Sequence, residues 1–177
     1  MPKTILTYGL AAGLIAGGGL SAAVLLMDSH GGGSMVVGYL IMLLAFALIP
    51  VAIKRHRDAA GGGVIRFWPA LALGVGISAV AGVIYVIAWE SAVAATGMDF
   101  AGSYAAGLIE QKRAAGASAA ELAAFTREMD AFKASYANPL VRWPMTFAEI
   151  FPVGVLVSLV SAALLRNPRF LAGRRVV

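Results

Sequence analysis

The chain has 177 residues, of which 60% are hydrophobic and 13% are charged, and its mean hydropathy is +0.83. A soluble domain carries about 45–50% apolar and about 25% charged residues, so this composition excludes an ordinary soluble protein. The absence of cysteine excludes a disulfide framework and a zinc–thiolate site. The formal net charge of +5 does not indicate nucleic-acid binding, because basic residues in a membrane chain usually serve as topology signals.

Four apolar runs are long enough to cross a bilayer, which takes about 20 residues per helix. They cover residues of about 5–27, 35–53, 67–89 and 143–165. We therefore predict an all-α membrane protein that forms one four-helix transmembrane domain over residues 1–177. The alternative, that the first run is a cleaved signal peptide, is disfavoured because its apolar core exceeds the usual length of about 7–15 residues.

The distribution of Lys and Arg predicts the orientation, because cytoplasmic loops are enriched in these residues. With the N-terminus inside, nine of the fourteen basic residues lie on the cytoplasmic side. They are Lys3, Lys54, Arg55, Arg57, Arg66, Arg166, Arg169, Arg174 and Arg175. The sequence thus predicts a multi-pass protein of the bacterial inner membrane with both termini in the cytoplasm. The cluster from Lys54 to Arg57 is interpreted as an orientation signal, although such clusters also attract anionic head groups.

The connection between the third and fourth runs is too long for a structureless loop and predicts an extracytoplasmic helical hairpin over about 98–138. Ser118 followed by Glu121 forms a capping box at the start of its second helix. An apolar stripe recurs along that helix at spacings of three and four residues. This stripe is the candidate partner surface and comprises Leu122, Phe125, Met129, Phe132 and Tyr136. It needs cover from the other helix of the hairpin, from the membrane surface or from another protein.

Small residues recur every four positions in three of the predicted spans, which lets helix backbones approach closely. These helix-packing positions are Gly9, Gly13 and Gly17, then Gly74, Ser78 and Gly82, and finally Gly154 and Ser158. One interpretation is self-association through the first span. Packing within a single four-helix bundle is favoured, because three of the four helices carry the pattern.

Glu149 is the most informative polar residue, since it lies about 9 Å along the fourth helix from Trp143. Pro152 leaves the carbonyl of Ala148 without a helical donor, and a free carbonyl beside a carboxylate can bind a cation or hold a proton. The functional interpretation is an intramembrane proton or ion site. The structural alternative is a residue that joins helices through a hydrogen bond to Tyr85, Thr146 or a serine, and the sequence leaves both open.

Glu90 lies at the outer end of the third run and is interpreted as a solvated interface residue. A further hypothesis is that Glu90 and Glu149 face each other and share a proton. Asp28 and His30 are too few to form a metal site, and we expect no cofactor and no metal. A catalytic nucleophile–base pair is also lacking, so we expect no enzymatic activity.

Several segments occur in a specific order along the chain. They are KTILTYGL at 3–10, GGVIRF at 62–67, IYVIAW at 84–89, YANPL at 136–140 and MTFAEIFPVG at 145–154. In these segments the chain resembles, over nearly its whole length, the bacterial membrane family catalogued as domain of unknown function 4199. The resemblance implies four spans, an outer helical insert and a family pattern that includes residues 149–154. It implies no activity.

Two functional hypotheses follow. The first is a non-catalytic membrane subunit that contacts lipid and binds a partner or stabilises an assembly. The second is a small homodimeric transporter or ion conduit in which Glu149 is the proton or cation site. The first is favoured, because the sequence lacks a catalytic or transport constellation beyond one carboxylate.

Overall fold

A computed structural model describes residues 1–26 and 35–171 of the chain. These residues form helices and no strands. In chain order the helices are α1 Pro2–Leu26, α2 Met35–Phe46, α3 Leu48–Ala60, α4 Phe67–Thr96, α5 Phe100–Ala114, α6 Ala119–Tyr136 and α7 Pro139–Leu165. Four segments are long and apolar enough to cross a membrane, namely Pro2–Val24, Val36–Ala60, Phe67–Thr96 and Pro139–Leu165. The predicted all-helical chain with four spans is confirmed.

The predicted second span is confirmed as one segment, Val36–Ala60, with a local irregularity at Ala47 between α2 and α3. Pro50 explains the irregularity, since it has no N–H to donate to the carbonyl of Phe46. Ala47 keeps helical backbone angles and donates to the carbonyl of Leu43 at 2.9 Å, so the chain continues in the same direction. The two halves also pack differently: α2 lies mainly against α1, and α3 lies mainly against α7. The second span therefore contacts α7 less in its first half than in its second.

Helix α4 is central and packs against α1 on one side and α7 on the other. Glycines on α1 permit the first contact: a Cβ built on Gly9, Gly13 or Gly17 would lie 2.6–2.7 Å from a side-chain Cβ of α4. Their neighbours are Val80, Ile84 and Ala88, respectively. Both sets advance by four residues in the same direction, so α1 and α4 run parallel.

The contact between α4 and α7 exchanges glycine and serine in reciprocal positions. Gly74 lies against Ser158, and Gly154 lies against Ser78. Each serine hydroxyl donates to the carbonyl of the residue four positions earlier, Ser78 to Gly74 at 2.9 Å and Ser158 to Gly154 at 2.7 Å. Their polar atoms are therefore satisfied inside the apolar bundle, and the reversed order shows that α4 and α7 are antiparallel.

Side-chain caps delimit the hairpin formed by α5 and α6. Asp99 accepts from the N–H of Gly102 at the start of α5, and Ser118 and Glu121 form the predicted capping box of α6. Asn138 caps α7 by accepting from the N–H of Leu140. We call the end of the bundle that carries this hairpin the hairpin end. The opposite end, where α3 ends, α4 begins and α7 ends, is called the basic end because it carries Lys54, Arg55, Arg57, Arg66 and Arg166.

Candidate functional site

An ion pair joins α4 to α7 at the hairpin end. Arg142 donates from Nε to Glu90 Oε1 at 2.7 Å and from Nη2 to Glu90 Oε2 at 2.5 Å, so the pair is bidentate. The two side chains are only 16% and 27% exposed, which makes the pair stronger than one at an open surface. Glu90 thus has a partner that the sequence interpretation did not name.

Tyr136 connects this ion pair to the hairpin. Its hydroxyl accepts a 2.9 Å hydrogen bond from the indole N–H of Trp89, and its carbonyl accepts a 3.3 Å bond from Arg142. Burial raises the pKa of the Tyr136 hydroxyl above its ordinary value, and this effect outweighs the opposing influence of Trp89 and Arg142. The end of α6 is therefore fixed to both α4 and α7.

Aromatic rings continue this junction into the hairpin. Phe100 contacts the rings of Trp89, Tyr104 and Tyr136 at centroid distances of 5.0, 5.8 and 5.6 Å. Phe132 packs between Tyr104 and Tyr136 at 5.8 and 5.6 Å. Such pairs each contribute about 0.5–1.5 kcal/mol beyond the area that they bury, so the aromatic cluster stabilises the junction.

The candidate partner surface on α6 has its cover from the hairpin itself. All five of its residues, Leu122, Phe125, Met129, Phe132 and Tyr136, are half-buried. Lys112 of α5 lies over the Phe125 ring at 4.4 Å, and Tyr104 of α5 packs on Phe132. Because α5 covers part of this stripe, the stripe exposes less apolar surface than the sequence pattern indicated.

Glu149 occupies an unusual position within α7. Its side chain is exposed at the surface of the single chain, and its neighbours along the same face, Met145 and Leu156, are 44% and 62% exposed. It lies seven residues after Arg142, which places it about 10 Å into the span from the ion pair. Its carboxyl accepts from the buried Tyr85 hydroxyl at 3.4 Å, which is long for an O–H···O bond.

The sequence left open whether Glu149 bonds to Tyr85, Thr146 or a serine. The structure shows Tyr85 as its partner, and this bond joins α7 to α4. Thr146 instead donates to the carbonyl of Arg142 at 3.1 Å. Among residues 1–26 and 35–171 no hydrogen bond joins Glu90 to Glu149. Instead, Glu90 accepts from Arg142, and Glu149 accepts from Tyr85. The geometry gives no support to a proton shared by these two carboxylates.

Pro152 lies inside α7, as the sequence requires, and a second proline, Pro144, lies in the same helix. The side chain of Pro152 is exposed on the face that carries Glu149. The carbonyl of Ala148 consequently lacks its helical donor one residue away from the carboxyl group. The described part of the chain contains no group of three His, Cys, Asp or Glu residues that could hold a metal ion. Asp28 and His30 lie outside the described residues.

Arg57 is a residue whose role the sequence interpretation missed, because the cluster was assigned only to orientation. Its side chain is 0% exposed and pairs with Asp58 at 2.9 Å. It also donates to the carbonyls of Phe170 at 2.9 Å and Leu171 at 2.7 Å, which lie beyond the end of α7. A charge within an apolar chain that is followed directly by an acid is a sequence signal that could have indicated a buried pair.

These features define a multi-pass membrane protein whose polar groups concentrate at the two ends of the bundle and at Glu149. The chain belongs to the family described as protein of unknown function (DUF4199), whose model matches residues 8–167. The resemblance drawn from the sequence segments is thus confirmed. No curated protein and no solved structure matches the chain.

Proposed function

We propose that the chain is a non-catalytic membrane subunit that binds another membrane-spanning helix through the face of α7 around Glu149. The observation that carries this proposal is the Glu149 residue, which is exposed within the fourth span and whose carboxyl accepts one long hydrogen bond. An ionisable group within a span is unfavourable against lipid and normally faces a protein partner or a water-filled cavity. A hydroxyl, amide or cationic side chain from a second helix would supply the missing partner.

The arrangement of the second span supports this face over others. Helix α2 packs more against α1 than against α7. It therefore leaves α7 partly uncovered in the half of the bundle where Glu149 lies. The α6 stripe is the weaker candidate, because α5 already covers it. We therefore place the partner surface on α7 and assign the stripe to the hairpin interior.

Site-specific crosslinking in native membranes tests the proposal. A photoreactive residue replaces Met145, which is 44% exposed on the face that carries Glu149, and the matched control replaces Val83, which is 53% exposed on α4. We expect a discrete crosslinked species from position 145 and none from position 83. Glu149→Leu should abolish it, whereas Glu149→Gln, which keeps hydrogen-bonding capacity, should retain part of it. The mass of the species distinguishes a second copy from a different protein, and its absence would contradict the proposal.

The second candidate function is a homodimeric transporter or ion conduit with Glu149 as the proton or cation site. It is favoured by the contact between the Glu149 carboxyl and the Tyr85 hydroxyl, and by Pro152, which leaves the carbonyl of Ala148 without its helical N–H donor. Purified protein in liposomes should then move protons or cations, and Glu149→Gln should remove the flux while the protein remains folded. A crosslinked partner without flux supports the subunit, and flux without a heterologous partner supports the conduit.

We further propose that both termini lie in the cytoplasm, that the hairpin lies outside, and that the membrane is the bacterial inner membrane. The basic end supports this orientation, because basic residues accumulate on the cytoplasmic side. The chain has no cysteine, so single introduced cysteines report cleanly. A cysteine at exposed Ser103 of α5 should react with an impermeant reagent added to intact cells, whereas one at exposed Ala59 of α3 should react only after lysis.

A further inference from the structure

An apolar groove of about 440 Å³ runs along the lipid-facing surface between α3 and α7 at the basic end. This volume lies within the range of about 300–1,000 Å³ that is typical of small-molecule sites. Its lining includes Pro50 on one side and Leu156, Val160 and Leu164 on the other. Val160 and Leu164 are 52% and 46% exposed, so the groove opens towards the bilayer.

The length of the groove matches one leaflet. Leu156 and Leu164 are eight residues apart along α7, which corresponds to about 12 Å at 1.5 Å per residue. Half of a typical hydrocarbon core is about 15 Å thick. The groove could therefore hold an extended hydrocarbon chain over most of the thickness of the leaflet at the basic end.

The chain itself builds the wall that closes the groove at the basic end. Phe170 and Leu171 line it after α7 has ended. Leu171 has a φ of 48°, a conformation that leucine rarely adopts. The buried Arg57 holds both of their carbonyls at 2.9 and 2.7 Å, so the wall is fixed by specific hydrogen bonds.

Two arginines flank this wall in the chain. Arg166 directly follows the groove residue Leu165, and Arg169 directly precedes Phe170. Both are exposed, and neither forms an ion pair with a carboxylate among residues 1–26 and 35–171. An apolar groove of leaflet length whose end wall is flanked in the chain by two exposed arginines is complementary to a lipid with an anionic head group.

We propose that this groove binds one acyl chain of an anionic phospholipid, whose phosphate lies at Arg166 and Arg169. The site begins at Leu156, the last residue of the face that carries Glu149, and extends away from the proposed partner surface, since Val160 is eleven residues from Glu149, about 16 Å along α7. Arg57 is a positioning residue for this site, because it is buried and donates to the carbonyls of the groove wall.

Native mass spectrometry of the full-length protein released from nanodiscs tests the proposal. The nanodiscs contain equal amounts of phosphatidylglycerol and phosphatidylcholine. We expect one retained phosphatidylglycerol per chain, favoured roughly tenfold or more over phosphatidylcholine, since two arginines contribute to binding. Val160→Trp should abolish retention by filling the groove, and the matched control Ile87→Trp, on the exposed surface of α4, should not.

The double variant Arg166→Gln/Arg169→Gln provides a second test that leaves the buried core intact. It should remove the preference for phosphatidylglycerol and bring its retention close to that of phosphatidylcholine. Arg113→Gln/Arg127→Gln removes two charges from exposed positions of the hairpin, so it is the charge-matched control and should retain the preference. Equal retention of both lipids by the wild type, or unchanged retention in the double variant, would overturn the proposal even if Val160→Trp does not fold.

Discussion

The guanidinium of Arg142 holds both carboxylate oxygens of Glu90 across 52 residues of sequence, at 2.7 and 2.5 Å. The same guanidinium donates to the carbonyl of Tyr136. This pair therefore connects α4, α7 and the last residue of α6 at one point. Together with the hydrogen bond from Trp89 to Tyr136 and the aromatic cluster, it holds the hairpin on the bundle.

Replacing Arg142 should loosen the hairpin. Arg142→Ala leaves the half-buried Glu90 carboxylate without its donors, which costs about 1–3 kcal/mol of unfolding free energy. Thermal unfolding in nanodiscs measures this loss, and limited proteolysis between α5 and α6 should accelerate. The control is Arg113→Ala, whose ion pair with Glu110 is more than 60% exposed on both sides and should contribute less than about 1 kcal/mol. Equal effects of the two substitutions would contradict this role.

The glycine face of α1 makes a sharper packing prediction. In Gly13→Ala the new Cβ would lie 2.6 Å from the Cβ of Ile84, and such overpacking typically costs about 1–3 kcal/mol. Gly18→Ala is the matched control, since nothing lies within 4 Å of its added Cβ. Ile84→Gly removes the Cβ that the new methyl group would meet, so Gly13→Ala should cost less in the Ile84→Gly background than in the wild type. Unfolding in detergent provides the readout, and equal behaviour of the two glycine variants would disprove the contact.

Tyr136 should make the junction sensitive to alkaline pH. Because burial raises the pKa of its hydroxyl above the ordinary value of 10.0, the unfolded chain releases this proton first. The stabilisation is therefore complete below pH 10 and is lost as the pH rises through the folded-state pKa. The ultraviolet absorbance of tyrosinate, taken as the difference between the wild type and Tyr136→Phe, follows this one group. A difference signal with a midpoint at or below 10 would contradict the prediction.

The capping box of α6 predicts the opposite dependence at acid pH. Hydrogen bonds from the Ser118 side chain and backbone lower the pKa of Glu121 below its ordinary value of 4.5. The cap is thus fully formed above pH 4.5, and its stabilisation is lost as the pH falls through the lowered pKa. The carboxyl-carbon chemical shift of Glu121 reports the titration directly. Ser118→Ala should bring the midpoint back towards 4.5, and an unchanged midpoint in that variant would refute this cause.

The sequence predicted those features that arise within one helix. The four spans follow from uninterrupted apolar runs, and the capping box follows from two residues three positions apart. The small-residue faces were also visible, but their partners were not, because a repeat of Gly9, Gly13 and Gly17 indicates close approach without naming the helix that approaches. Only the three-dimensional arrangement assigns them to Val80, Ile84 and Ala88.

Contacts between segments that are distant in the chain could not be predicted from local sequence patterns. Glu90 and Arg142 each looked like solvated charges at the boundary of a span, and their pairing depends on how α4 and α7 are aligned. The stripe on α6 was recognised, yet its burial against α5 depends on the closure of the hairpin. Arg57 was missed for the same reason, since its carbonyl partners lie 108 to 114 residues later.

That separation has a consequence for how the protein is made. Synthesis produces Arg57 long before Leu165, Phe170 and Leu171 exist, so until then the guanidinium has Asp58 and water as its partners. Its final environment forms only when the end of α7 arrives and supplies the carbonyl oxygens. The last step of assembly at the basic end is therefore the dehydration of Arg57. Final packing of the second span thus depends on insertion of the fourth.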